Sequence, residues 1–156
     1  MSSLKFAGVV RGPSDTPLKV HGGGGFTLPC RDLAQAKRFM REVLGGMPAG
    51  ITLAQQDAAV AAEGRYPHVA FEADLPDALA LRERLGRYGV PTALATAGAD
   101  GLLYFRDPTG SLWKIVSRDA GAALRATTAC VDDEQVDVGA LAYARWSTPA
   151  TAIEAQ

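Results

Sequence analysis

The chain has 156 residues, with 16 lysines and arginines against 17 aspartates and glutamates, and 47% of it is hydrophobic. That suits one folded domain able to bury a core without disulfides, and a net charge of −1 from scattered basic residues argues against nucleic acid as a partner. No apolar stretch approaches the roughly 20 residues that span a bilayer and no charged-then-apolar leader opens the chain, so a cytoplasmic protein with no membrane partner is expected.

Residues 1–24 read as a lead-in: a short strand from Leu4 to Val10, then a turn-rich stretch from Arg11 to Pro17. His21 precedes four glycines, Gly22 to Gly25. Bare backbone N–H groups can cradle an anion, yet neither GK[ST] nor GxGxxG opening a helix is present, so the run reads as a flexible entry to a strand. Phe26, Leu28 and Cys30 alternate with Thr27 and Pro29, a half-buried strand with Pro29 near its end or on an edge. Leu33, Ala36, Phe39, Met40, Val43 and Leu44 then recur at spacings of three and four, with Asp32 placed to cap the helix and Gly45-Gly46 to end it.

Between Met47 and Pro67 the signals thin out, with short strands expected at Ile51–Leu53 and around Ala59 to Ala62. A strand resumes at His68, with Val69, Phe71 and Ala73 on one face and His68, Ala70 and Glu72 on the other. A second helix is predicted from about Pro76 to Tyr88, with Ala78, Leu81, Leu85 and Tyr88 as its apolar stripe and Gly89 as its stop. Thr92 to Ala97 follows, then Leu102 to Arg106 and Ser111 to Ser117 joined by Asp107-Pro108-Thr109-Gly110, whose turn chemistry marks a hairpin.

The strand-helix units beginning at Phe26 and Val69 form an internal repeat, with Asp32-Leu33 and Asp74-Leu75 at corresponding junctions. The pattern is one α+β domain of two βα units, each followed by short antiparallel strands. Residues 119–156 read as an alanine-rich tail with a solvated Asp132, Asp133, Glu134 patch and an apolar run from Val138 to Trp146, which docks on the body or a second subunit or stays mobile. Cys30 and Cys130, far apart and outside any CxxC pair, read as a buried thiol and a tail thiol.

Three stretches, FTLPCRDLAQAKRFMREVLGG, HVAFEADLPDALALRERLGRYGV and LLYFRDPTGSLWKIVS, in this order and spacing, resemble the vicinal-oxygen-chelate superfamily of glyoxalases, bleomycin-resistance proteins and extradiol dioxygenases. The resemblance covers residues 25–118 and implies paired βαβββ modules (25–67 and 68–118) curled around a shared pocket, often completed in a homodimer. In the family's enzymes a divalent metal in that pocket acts as a Lewis acid on vicinal oxygens. Carried over position by position, the resemblance finds the second-module histidine as His68. The first-module histidine is replaced by Gly25, and the carboxylate after Leu-Trp by Lys114, which offers no lone pair at neutral pH. Between Met47 and Pro67 stand Gln55 and Gln56 with only Glu63 as a candidate carboxylate, and His21 is the one other imidazole.

His68 can therefore be a pocket residue that hydrogen-bonds a ligand, an acid/base group or a metal remnant. Lys114 shares parity with Leu112 and Val116, and a buried lysine must be neutral or paired; Glu72 is the nearest candidate partner. Lys114 can instead bind an anionic or phenolate ligand group, or act with a lowered pKa as base or amine nucleophile. Tyr104 and Arg106 share a parity that places them toward the same pocket, with Arg106 alternatively solvated at the hairpin end, whereas Leu103, Phe105 and Trp113 should pack toward the helices. Two functional classes follow. One is a metal-free protein holding a small hydrophobic or aromatic molecule among His68, Glu72, Tyr104, Leu112 and Lys114, with no cofactor. The other is an enzyme, either a divalent-metal lyase, isomerase or dioxygenase using atypical ligands such as His68 and His21, or a metal-free acid/base catalyst using His68 and Lys114.

Overall fold

The computed structural model describes residues 4–10, 26–55 and 68–141. Strands β1 (Lys5–Val10), β4 (His68–Glu72), β5 (Thr92–Ala97), β6 (Asp100–Arg106), β7 (Leu112–Ser117) and β8 (Val131–Asp132) form one sheet in the order β1-β4-β7-β6-β5-β8. Strands β2 (Phe26–Cys30) and β3 (Ile51–Gln55) form a second, parallel pair. Helices are α1 (Leu33–Glu42), α2 (Leu75–Arg87) and α3 (Gly121–Thr127).

Both long helices start where an aspartate caps them. Asp32 Oδ1 accepts from Gln35 N at 3.0 Å and Asp74 Oδ1 from Asp77 N at 3.1 Å, each satisfying an amide with no partner inside the helix. Gly45 (φ 84) takes the left-handed conformation just beyond α1, as expected of a glycine stop. The repeated Asp-Leu junctions are thus repeated helix starts.

The second module is complete: β4, α2, then β5-β6-β7, with β4 beside β7 in parallel and β5-β6-β7 antiparallel. In the first module the described elements are β2-α1-β3, and the strand expected around Ala59 to Ala62 lies outside the described residues. The expected lead-in strand is β1, and it pairs antiparallel to β4 as the edge of the main sheet.

One sheet face packs on the helices. Val69, Phe71, Leu103, Phe105, Trp113 and Ile115 meet Phe39 and Met40 of α1, Val43 at its C-cap, and Ala78, Leu81 and Leu85 of α2 in a single buried cluster. Trp113 is fully buried at its centre, stacked on Phe71 (centroids 4.7 Å apart) and on Phe105 (5.5 Å). The opposite face carries Leu102, Tyr104, Leu112 and Val116 and is covered in part by Val138 and Leu141. Because both faces are covered, every residue of β7 is buried.

Candidate functional site

Strand register assembles the second face in rows. Ala70 pairs with Lys114, Lys114 with Tyr104 and Tyr104 with Ala93, while Gly8 lies beside Ala70. The middle row therefore reads Gly8, Ala70, Lys114, Tyr104, Ala93, two polar side chains flanked by three residues that fill little space. One step toward the hairpin lie His68, Leu112 and Arg106; one step the other way lie Glu72, Val116 and Leu102.

His68 is 2% exposed and its ring meets that of Tyr104 edge to face at 6.1 Å. Its Nε2 is buried and makes no hydrogen bond among the described residues. Lys114 is 3% exposed. His68, Tyr104, Leu112 and Lys114 are thus brought together on one buried face. Glu72 shares the face but sits at its rim, where its Oε1 accepts from Arg118 Nε at 2.6 Å. The expected Lys114–Glu72 pair is therefore replaced by Arg118–Glu72. Two half-solvated ions surrender less hydration to each other than Glu72 would in reaching inward to a buried ammonium. This rim opens on a cleft of about 410 Å³ lined by Lys5, Glu72, Asp77 and Arg118 among others.

Arg106 is buried, which excludes the solvated alternative: Nη1 donates to Gly110 O at 2.9 Å and Nη2 to Val138 O at 3.0 Å. It ties the hairpin turn to the C-terminal segment. The turn itself is organised by Asp107, whose Oδ1 accepts from the amides of Thr109, Gly110 and Ser111, each at 3.0 Å, and whose Oδ2 accepts from Trp113 Nε1 at 3.1 Å. Burial pushes this carboxyl up to about 6, the four N–H donors pulling the other way. Thr109 Oγ1 accepts from Arg31 N at 3.3 Å, fastening the turn to the entrance of α1.

Asp133 is a member of this face that the sequence reading missed. The Asp132, Asp133, Glu134 patch is solvated at its first and third members, but Asp133 is 8% exposed and its Oδ1 accepts from Tyr104 Oη at 2.6 Å. A lone aspartate inside an acidic run gives no local signal of this. Cys30 is buried and Cys130 partly so, and both are free thiols; burial raises the pKa of the Cys30 thiol.

A vicinal-oxygen-chelate metal would need imidazole or carboxylate donors converging on this face. Among the described residues no group of three histidine, cysteine, aspartate or glutamate side chains is placed to hold a metal ion. His68 supplies one imidazole, Lys114 stands where the resemblance calls for a carboxylate, Glu72 is turned to Arg118 and Asp133 to Tyr104. Gly25, His21, Gln56 and Glu63 lie outside the described residues. The described side chains do not fit a resident metal.

No protein-family model matches the chain, and no curated protein does. Solved structures do. The fosfomycin resistance protein FosX from Listeria monocytogenes is similar with a TM-score of 0.53 at 19% identity, covering 70% of this chain and 100% of that one. A glyoxylase/bleomycin resistance protein/dioxygenase domain from Frankia sp. EAN1pec gives 0.55 at 21% identity, covering 64% and 93%. An integron cassette protein from the mobile metagenome of the Halifax Harbour sewage outfall gives 0.51 at 18%, covering 63% and 99%. The chain has the vicinal-oxygen-chelate fold, α+β as the sequence implies.

Proposed function

We propose that this chain is a metal-free binding protein of the vicinal-oxygen-chelate fold, holding a small hydrophobic or aromatic molecule on the face formed by His68, Tyr104, Leu112 and Lys114. The observation that carries the reading is the middle row of that face. A lysine and a phenol stand side by side on neighbouring strands, flanked by glycine and alanines, with apolar Leu112 and an imidazole one step away. A few convergent polar groups in apolar surroundings are what a small-molecule site needs. Lys114 supplies an amine that can meet an anionic or phenolate group, and Tyr104 and His68 supply hydrogen bonds and aromatic surface. Glu72 lies at the rim and would act on ligand entry rather than contact. By the fold's habit the working unit is a homodimer, and the reading places the protein in the cytoplasm with neither nucleic acid nor membrane as partner.

A FosX variant structure, at 18% identity, holds Mn(II) and 1S,2S-dihydroxypropylphosphonic acid, so a metal is the alternative to test. The experiment is elemental mass spectrometry on protein purified without chelator and again after incubation with Mn²⁺, Fe²⁺, Ni²⁺ and Zn²⁺. Substoichiometric metal, unchanged in His68→Ala, is the expected result. Near-stoichiometric metal lost in His68→Ala would overturn the reading and direct attention to His21.

A further inference from the structure

The proposed ligand face is already partly filled by the chain itself. Beyond β7 the backbone turns at Asp119 (φ 57), runs through α3 and returns as β8, two residues laid parallel on β5 at the sheet's edge. The tight turn Asp133–Gln135 follows, closed by a capping box between Asp132 and Gln135. Between Asp132 and Leu141 only Asp133, Val138 and Leu141 are buried. Asp133 accepts the Tyr104 hydroxyl, the Val138 carbonyl accepts from Arg106, and the Val138 and Leu141 side chains join Leu102, Leu112 and Val116. A strap held by three buried residues, the partly buried Val136 and a two-residue strand belongs to the easily opened end of a protein's stability range.

What the strap presents to the sheet is a carboxylate with apolar groups beside it. The carboxylate sits on Tyr104, whose register partner is Lys114 and whose same-face neighbour along β6 is Arg106. We infer that residues 133–141 are an intramolecular occupant of the ligand face, and that the ligand is an apolar or aromatic molecule with one carboxylate-like group that takes the place of Asp133 on Tyr104. This rests on the reading of the face as the ligand site. Ligand binding and strap release are then one equilibrium, in which the apparent affinity is the intrinsic affinity reduced to the fraction of molecules with the strap open.

The test uses the full-length chain and two variants, Asp133→Ala and Leu141→Ala, so that a folding defect in one leaves the other informative. Each is titrated calorimetrically with naphthoate and with its neutral methyl ester, and amide hydrogen exchange is followed over residues 131–141. Faster strap exchange and about tenfold tighter naphthoate binding in both variants are expected, the tenfold corresponding to about 1.4 kcal/mol. The ester should bind at least tenfold more weakly than the acid, and naphthoate should speed strap exchange in the unaltered chain. Equal naphthoate affinity in all three chains, with strap exchange indifferent to ligand, would overturn the strap and leave the binding function standing. Equal affinity for acid and ester would overturn the assigned ligand class. Absence of binding by either compound to every chain would overturn the proposed function and the strap with it.

Discussion

Asp107→Ala is the substitution whose effect on stability is set most directly by the geometry, because one carboxylate serves four N–H groups: three turn amides and the Trp113 indole. Stranding them costs about 1 kcal/mol or more each, roughly 4 kcal/mol in all. The carboxyl is also pushed by burial from 3.8 to about 6 in the fold, a difference worth about 3 kcal/mol. Since the folded value lies above the unfolded one, the folded state holds the proton more tightly. That stabilisation is fully present below 3.8 and is lost as pH rises through about 6. Alanine cannot titrate, so its deficit relative to the unaltered chain should be roughly 4 kcal/mol near pH 4 and narrow to about 1 kcal/mol near pH 7.5. Urea unfolding followed by far-ultraviolet circular dichroism at several pH values measures the difference. A deficit that stays constant, or widens with rising pH, would refute the argument and show that the four donors outweigh desolvation.

Gly50→Ala should destabilise by about 1–3 kcal/mol, because its φ of +90° is left-handed and an added Cβ would lie 3.1 Å from Phe6; thermal unfolding reads the loss. Arg84→Met removes two donors, at 2.9 and 3.2 Å, from the Glu42 carbonyl at the end of α1. A cost of about 1–2 kcal/mol, with faster amide exchange at the α1 C-terminus, is expected. Lys114→Glu should abolish naphthoate binding, since it sets a carboxylate where the ligand's anion is held, and a calorimetric titration indifferent to this change would contradict the role given to Lys114.

The fold was largely readable because its signals are local. Period-2 alternation marks β4 and β7, and the Asp32 and Asp74 caps sit within three residues of the amides they satisfy. The alternation of Trp113 and Ile115 with Leu112, Lys114 and Val116 correctly separated the helix-packing face from the other one, although burial alone would not, since all of β7 is buried. The failures are all long-range. Asp133 looks solvated between Asp132 and Glu134 until Tyr104, 29 residues earlier, is brought beneath it. Arg106 finds its second acceptor at Val138, 32 residues away. Glu72 lies opposite Val116, so Lys114 and Arg118 are equally near along the strand, and only the difference in solvation between rim and interior decides for Arg118. The C-terminal segment carries no strong periodicity because its contact with the sheet is a few separate anchors, Asp133, Val136, Val138 and Leu141, rather than a continuous stripe.

The central claim, that the His68–Tyr104–Lys114 face binds a small apolar molecule without metal, is tested most directly by calorimetric titration of naphthoate into chelator-treated full-length protein, repeated after adding Mn²⁺. Saturable binding of one molecule per chain, unchanged by Mn²⁺ and lost in His68→Ala, is the predicted result. Binding that appears only when Mn²⁺ is supplied, or that survives His68→Ala undiminished, would contradict it.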